Sequence, residues 1–443
     1  MHEYLKNYIC KTVTFKFRGM DFVFDLSQGL FSSADVDWGT RMLLKIFSQV
    51  LDEDAAAGKA PPLRILDSGC GTGVIGICAA AAVLQLAKGG VLVRCQDRDE
   101  LARLVTTHNA AQNGIPPSVL EAQTGPLLAG TACDSQTGRW DMILSNIPAK
   151  AGMPVLEDFI RRSAGLLSSA GRCIIVAVRP LADFIRKQIE ADAELLLEHQ
   201  GPGHSVFVYG KAEDRDVAVP VDDGPGFCAL HPFYFRAAVM CRMENIPIYL
   251  ETVYGASGFD NPGGAVSAAV KLILRMGPQQ FAKGGDPVLI HEPGQGFFPC
   301  WLVEFLRGAG QMREPPVLSG RNILALRASQ HNTSQAAAAV PSADLQLGRT
   351  ALLEAAGGRL YGCIAAFPEL LPQSSLPKGA NQLAALWDSV PPLLAGGGLF
   401  LASFGSTDAE RFDRKKPPDF TRLGSIKRDG FRALAYQFNS TGK

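Results

Sequence analysis

Residues Arg64 to Gly76, reading Arg-Ile-Leu-Asp-Ser-Gly-Cys-Gly-Thr-Gly-Val-Ile-Gly, limit what this chain can fold into more than any other stretch. An apolar run ends there in a carboxylate, meets three closely spaced glycines and opens into a second apolar run, Val74 to Leu84. The pattern reads as a strand, a tight loop and a helix N-terminus. Glycine is needed where the backbone takes positive φ or where a ligand approaches within contact distance. The helix start beyond presents unpaired N–H groups to that ligand. A nucleotide-like ligand is expected across this turn; a ligand-free βα turn is the plainer alternative.

Gly71-Thr-Gly73-Val-Ile-Gly76 also fits the dinucleotide pattern Gly-x-Gly-x-x-Gly. Asp67 separates the two readings. It ends the strand two residues before Gly69, where its charge repels a pyrophosphate and attracts an ammonium. Strand-Asp-x-Gly-x-Gly-x-Gly resembles motif I of the class I S-adenosylmethionine (SAM) methyltransferases. The resemblance implies SAM as cofactor, with Asp67, Gly69, Gly71 and Gly73 at its methionine end.

At 443 residues the chain is long enough for two or three domains. Apolar residues at 47% and charged residues at 19% describe a folded protein. With 43 basic and 43 acidic residues there is no global field to attract nucleic acid, so RNA binding needs a local patch. The longest apolar run, Val74 to Leu84, is too short to span a bilayer. Met1 to Lys6 lack the layout of a secretion signal. The ten cysteines include no Cys-x-x-Cys pair, and the seven histidines form no ligand-spaced cluster with them. A cytoplasmic protein with reduced cysteines, no membrane segment and no metal is expected.

Residues 13–25 alternate around a Gly-containing turn, as a β-hairpin does. Asp37, Gly39 and Thr40 then precede the helical spacing of Met42, Leu43 and Phe47, so Asp37 or Thr40 caps a helix. Gly29-Leu-Phe-Ser followed by Asp37-Trp-Gly-Thr-Arg-Met-Leu-Leu resembles the MTS ("methyltransferase small") domain of ribosomal RNA guanine-N2 methyltransferases. In that family this segment closes over the cofactor, which places Thr40 among the cofactor-binding residues. Gly90 to Asp97 reads as a second strand ending in a carboxylate that can accept two ribose hydroxyls; Asp99 fits a helix N-terminus better. The helix from Leu101 stops at Asn113-Gly114. Ser118 to Gly125 hold the next strand, where the family often has an acid near the adenine amino group. Here only Gln123 and Thr124 are offered.

Gly138 to Gly152 contain a buried strand ending in Ser145-Asn146-Ile147-Pro148-Ala149-Lys150. This resembles the Asn-Pro-Pro-Phe/Tyr motif of amino methyltransferases, although a plain loop start is the alternative. The resemblance implies that the Asn146 side-chain oxygen and the Ile147 carbonyl accept the hydrogens of a target amine. Pro148 matches the motif's second proline, and Ala149 lacks the ring that stacks on a base. Lys150 can meet a phosphate or carboxylate. Strands at Glu194 to Glu198 and His204 to Tyr209 complete a seven-stranded unit near Lys211.

Residues 212–226 are charged and rich in turn formers, as a linker is. Beyond them the pattern returns: Gly29 as Gly255, offset 226; Gly138 to Pro148 as Gly358 to Pro368, offset 220; Gly203 and Tyr209 as Gly430 and Tyr436, offset 227. A duplicated domain explains this order. In the second copy Ile290 takes the place of Asp67, Glu292 that of Gly69 and Ala366 that of Asn146. Arg327, in a second strand read over Asn322 to Ala328, replaces the ribose acid. The expected architecture is α/β: two tandem Rossmann-like domains with mostly parallel seven-stranded sheets. They span residues 1–211 and 227–443, the second degenerate and structural or substrate-binding. Tandem MTS domains, one active and one degenerate, are the architecture of the ribosomal RNA guanine-N2 methyltransferases, whose active half is C-terminal; here it is N-terminal.

The function expected is SAM-dependent methylation of a guanine amino group in ribosomal RNA. Phosphates would be met by a late basic cluster of Arg411, Arg414, Lys415, Lys416, Arg422, Lys427, Arg428 and Arg432, which reads equally as a solvated face. The rivals are a methyltransferase acting on a protein side-chain amide or a small amine, and a non-catalytic RNA- or protein-binding scaffold.

Overall fold

The first apolar segments close into a hairpin. Strand β1 (Lys11–Phe17) pairs antiparallel with β2 (Met20–Leu26) through Arg18 and Gly19, both at positive φ, and Phe15, Phe17, Phe22 and Phe24 are buried. The structure, a computed structural model, describes residues 3–31, 34–131, 138–148, 150–212, 233–281, 287–311, 314–336, 345–347, 359–372, 375–376 and 380–439. Ala149, the linker reading from 213 onward and Gly358 lie outside the described residues. The backbone divides into two units, residues 1–227 with 374–380, and residues 228–373 with 381–443.

In the first unit the hairpin is followed by α1 (Trp38–Ala56), β3 (Arg64–Ser68), α2 (Val74–Leu86), β4 (Leu92–Asp97), α3 (Glu100–Gln112) and β5 (Leu120–Thr124). Then come β6 (Trp140–Asn146), α4 (Met153–Leu166), β7 (Leu167–Val178), α5 (Ala182–Asp192), β8 (Glu194–Gln200) and β9 (His204–Gly210). The sheet order is β5-β4-β3-β6-β7-β9-β8, parallel except for β9, which runs antiparallel to β7 and β8. Strand order reverses at β3, so the crevice opens beyond the C-terminal ends of β3, β4 and β6. Helix α2 is buried from Val74 to Val83, which is why its sequence has no polar face.

The second unit repeats this plan. It begins with the hairpin β10 (Phe235–Met243) and β11 (Ile246–Val253), then α6 (Gly264–Met276), α7 (Pro278–Phe281), β12 (Val288–His291), α8 (Phe297–Gly308), β13 (Val317–Gly320), α9 (Ile323–Ala336) and β14 (Leu345–Leu347). It ends with β15 (Tyr361–Ala366), α10 (Gln382–Ser389), β16 (Leu394–Gly405), α11 (Ser406–Arg414), β17 (Phe420–Arg428) and β18 (Phe431–Phe438). Its sheet order, β14-β13-β12-β15-β16-β18-β17, is that of the first sheet strand for strand.

A buried amide recurs as well. Asn109 accepts from Asp25 N–H at 2.9 Å and donates to the carbonyls of Asp25 at 3.1 Å and Thr72 at 2.8 Å, tying the hairpin to the glycine loop. Asn332 does the same with Glu251 N–H at 2.9 Å and the carbonyls of Glu251 at 2.9 Å and Gln295 at 2.8 Å. The His108–Asp25 contact at 2.8 Å likewise returns as His331–Glu251 at 3.3 Å.

Two details of the repeat change. Asn322 to Ala328 are not a strand: Asn322 leads into α9, and β13 ends at Gly320. Glu292 N–H donates to Ser319 carbonyl as Gly69 N–H does to Gln96 carbonyl, so Gly320, not Arg327, stands in the place of Asp97. Ile143 pairs with Leu66 and Cys173, and Ile364 with Leu289 and Phe400, so the place of Asn146 falls on Phe367 rather than Ala366. The backbone register overrides the sequence offset by one residue.

Among the described residues no helix is long and apolar enough to cross a membrane, and no three His, Cys, Asp or Glu side chains converge as metal ligands do. The tie makes a prediction. Asn109→Ala leaves buried backbone groups unpaired and lowers stability by about 3 kcal/mol, a fall in Tm of roughly 6–12 °C for a unit of this size. Scanning calorimetry checks it, and Asn332→Ala lowers the transition of the second unit instead.

Candidate active site

The loop after β3 is held by its own backbone. Gly69 and Cys70 donate to Gln96 carbonyl at 2.8 and 3.0 Å, and Gly69 and Gly73 take φ of 78° and 84°. At Gly73 a Cβ would stand 2.7 Å from Thr106, so no other residue fits. At Gly69 and Gly71 a Cβ would meet nothing nearer than 4.0 Å, where the Leu127 side chain and the Phe31 carbonyl lie. The room in front of these two glycines is a cradle for a ligand.

Asp67 does not face that cradle. It is fully buried, its Oδ2 accepts the Gly76 N–H at 2.8 Å, and its Oδ1 is buried with no hydrogen-bond partner among the described residues. Burial pushes its carboxyl up to about 7, the Gly76 N–H opposes this, and the charge of Asp97 adds to the rise. The expected ion pair with an ammonium therefore gives way to a scaffolding role at the start of α2. A side chain without surface cannot meet a ligand directly.

Asp97 stands at the end of β4 and is partly exposed. Its Oδ2 accepts the Gly71 N–H at 3.1 Å and its Oδ1 the Asp99 N–H at 3.0 Å, which leaves lone pairs on both oxygens. Asp99 caps α3 by accepting from Leu101 N–H at 2.9 Å. Thr124, at the end of β5, donates its hydroxyl to Glu100, a buried carboxylate also bound by Arg103. Glu100, from α3, thus places a carboxylate beside Thr124 at the end of β5. Gln123 bonds Glu121 instead.

Asn146 ends β6, and three contacts fix its amide. Its Nδ2 lies 3.2 Å from both oxygens of Asp37 and 3.1 Å from Thr40 Oγ1. Asp37 is itself the N-cap of α1, accepting Thr40 N–H at 3.1 Å and Thr40 hydroxyl at 2.6 Å. An ionised carboxylate only accepts, so the amide nitrogen must face it and the Asn146 Oδ1 is directed elsewhere. A Cβ on Gly39 would sit 3.3 Å from His204 Cδ2 and 3.4 Å from Asn146 Nδ2, so Gly39 permits this approach and His204 joins the cluster. Ile147 is buried and donates its N–H to Val176 carbonyl at 3.1 Å; Pro148 is partly exposed and Lys150 exposed.

Sequence reasoning saw Asp37 as a cap but missed its hold on Asn146, 109 residues away, and missed His204 altogether. No local pattern signals either.

Comparison with known proteins agrees with this geometry. Residues 21–191 match the methyltransferase small domain family. The uncharacterized protein YbxB of Bacillus subtilis (strain 168) is 32% identical over 166 residues, covering 38% of this chain and 73% of that protein. The chain belongs to the methyltransferase small domain family. It is a SAM-dependent methyltransferase. The ribosomal RNA small subunit methyltransferase C of Sodalis glossinidius (strain morsitans) is 31% identical over 161 residues, 35% of this chain; the match spans 39% of that relative. The structure of the T. thermophilus 16S rRNA N2 G1207 methyltransferase (RsmC) in complex with AdoMet and guanosine has a TM-score of 0.60 at 14% identity, covering 98% of this chain and 100% of that one. It shares the fold over the whole length.

The buried Asp67 predicts a pH dependence. An unfolded Asp titrates near 3.9, so between about pH 4 and pH 7 the folded chain keeps a proton that the unfolded chain has released. Stability falls as pH rises through that window, by at most about 1.4 kcal/mol per pH unit from this group. Asp67→Asn keeps an acceptor for Gly76 and removes the charge. Its Tm relative to wild type rises between pH 4.5 and pH 8; a constant difference would contradict the assignment.

Proposed function

We propose that this chain methylates the exocyclic amino group of a guanine in ribosomal RNA. The observation that carries the reading is the fixed amide of Asn146. With its nitrogen held by Asp37 and Thr40, the side chain offers an acceptor and no donor to a ligand at the crevice. Bound SAM supplies an electrophilic methyl group on a sulfonium. Asn146 Oδ1 and the Ile147 carbonyl accept the two hydrogens of the amine, which aims the nitrogen lone pair. These bonds strengthen as the nitrogen gains charge. No general base is needed before attack.

Gly69, Gly71 and Gly73 would hold the methionine end of SAM, Asp97 the ribose, Thr124 the adenine edge, and Thr40 would close the site from α1. Two relatives support the RNA substrate: the ribosomal RNA small subunit methyltransferase C and the RsmC structure bear it in their names. A ribosomal substrate is in keeping with a cytoplasmic protein.

Four of the eight cations in the late basic cluster are held in ion pairs. Arg411 is paired with Asp408 at 3.3 Å, Arg422 with Asp413 at 2.5 Å, Arg428 with Glu244 at 2.8 Å and Arg432 with Glu410 at 3.1 Å. These four carboxylates offset part of the field that the sequence run suggested. Lys150 just beyond Pro148 and Arg179 just beyond β7 are exposed cations at the same sheet edge as Asn146, and we assign the phosphate contacts to them.

Ala149 in place of a ring favours a second reading, methylation of a protein side-chain amide. A Ribosomal protein L11 methyltransferase of Parasynechococcus marenigrum (strain WH8102), 34% identical over 122 residues, is in keeping with it. Labelled methyl transfer to ribosomal subunits separates the two, because nuclease removes the label in the first case and protease in the second. Any product above background excludes a non-catalytic scaffold.

Asn146→Ala is expected to lower kcat by about 100-fold or more with SAM affinity unchanged by titration calorimetry. Asp97→Ala, which loses charge-assisted bonds, weakens SAM binding roughly tenfold or more. Unchanged affinity there would remove Asp97 from the cofactor site.

A further inference from the structure

Amino methyltransferases of the Asn-Pro-Pro-Phe/Tyr type carry a stacking ring just after the motif asparagine, and this chain has Ala149 there. A flat substrate still needs a partner for its face. Trp38 is 65% exposed, while the other three tryptophans, Trp140, Trp301 and Trp387, are 1%, 0% and 2% exposed. Its neighbours in the chain lie at the Asn146 end of the site. Asp37 holds the Asn146 amide at 3.2 Å, and the Cβ position of Gly39 lies 3.4 Å from the same nitrogen. The indole hangs from the residue between these two contacts. Phe31, the other exposed aromatic of this segment at 57%, has its carbonyl 4.0 Å from the Cβ position of Gly71 and so belongs to the cofactor side.

We propose that Trp38 is the platform on which the target base stacks, the ring having moved from the loop after β6 to the first residue of α1. The proposal rests on the reading of the chain as a base methyltransferase. Stacking on an indole selects a flat ring over an aliphatic amide and holds the base while Asn146 orients its amine. The base must leave its helix to be stacked in this way, so the substrate is a guanine in a loop, a bulge or an extruded position.

The test uses the full chain with guanosine and with unmodified ribosomal RNA as probes. Because the other indoles are buried, red-edge fluorescence and its quenching by acrylamide report on Trp38. Guanosine is expected to quench this emission in wild type and in Asn146→Ala. Trp38→Ala raises KM for RNA by about 10- to 100-fold, Trp38→Phe by only a few-fold, and neither changes SAM affinity by calorimetry. The side chain is exposed, so both variants fold. If wild type methylates RNA while Trp38→Ala keeps its KM, the platform is overturned and the base methyltransferase stands. A SAM affinity lost in Trp38→Ala also overturns it, moving the ring to the sulfonium. If wild type labels protein and no RNA, the reading fails and the platform with it.

Discussion

The buried amide of Asn109 is the tie on which the first unit depends. It joins the N-terminal hairpin to the glycine loop through three hydrogen bonds from α3. Three elements distant in sequence thereby share one rigid group, and a fully satisfied buried network of this kind holds a single arrangement. The loop can then present its open face beyond β3 without being stiffened by side chains of its own. Asn332 makes the equivalent bonds in the second unit, where the rest of the site has gone. The tie therefore belongs to the fold rather than to the chemistry.

The second unit shows what happens to a crevice when only the fold is kept. Glu292 stands at the place of Gly69 and retains its left-handed backbone, with φ of 54°, a conformation that costs a non-glycine residue about 1 kcal/mol or more. Its carboxylate accepts the Arg321 N–H at 3.1 Å and lies 3.1 Å from the Cβ position of Gly320, where the first unit has Asp97. Phe367, at the register place of Asn146, packs tilted against Phe298 with ring centroids 4.7 Å apart. Bulky side chains of the second unit thus stand at the places of Gly69 and Asn146 in the first.

Much of this was legible in the residues. The alternation of residues 13–25, the glycine spacing after Asp67, the carboxylate closing β4 and the Asn closing β6 each carry a local physical signal, and each lies where that signal puts it. What could not be read depends on partners far along the chain. Burial of Asp67 is decided by Gly76 and the strands on either side, the hold of Asp37 on Asn146 spans 109 residues, and Glu100 reaches Thr124 across the sheet edge. The pairing of four late arginines also escaped, because the fold of β17 and β18 brings Arg422 and Arg432 to carboxylates of α11, and Arg428 meets Glu244 from the β10–β11 turn. Arg327 was misplaced because the residues after Gly320 are apolar enough for a strand, while the Asn322 cap starts a helix.

One carboxylate, Asp37, closes the first turn of α1 and also sets which way the Asn146 amide faces. The orientation of this amide is thus settled when the chain folds, long before any substrate arrives. A free asparagine side chain would have to surrender two rotameric choices during each turnover; here that entropy is given up once, in the same event that orders a helix end. For the amine-orienting role proposed for Asn146, the penalty would fall on the folding equilibrium and not on the activation barrier.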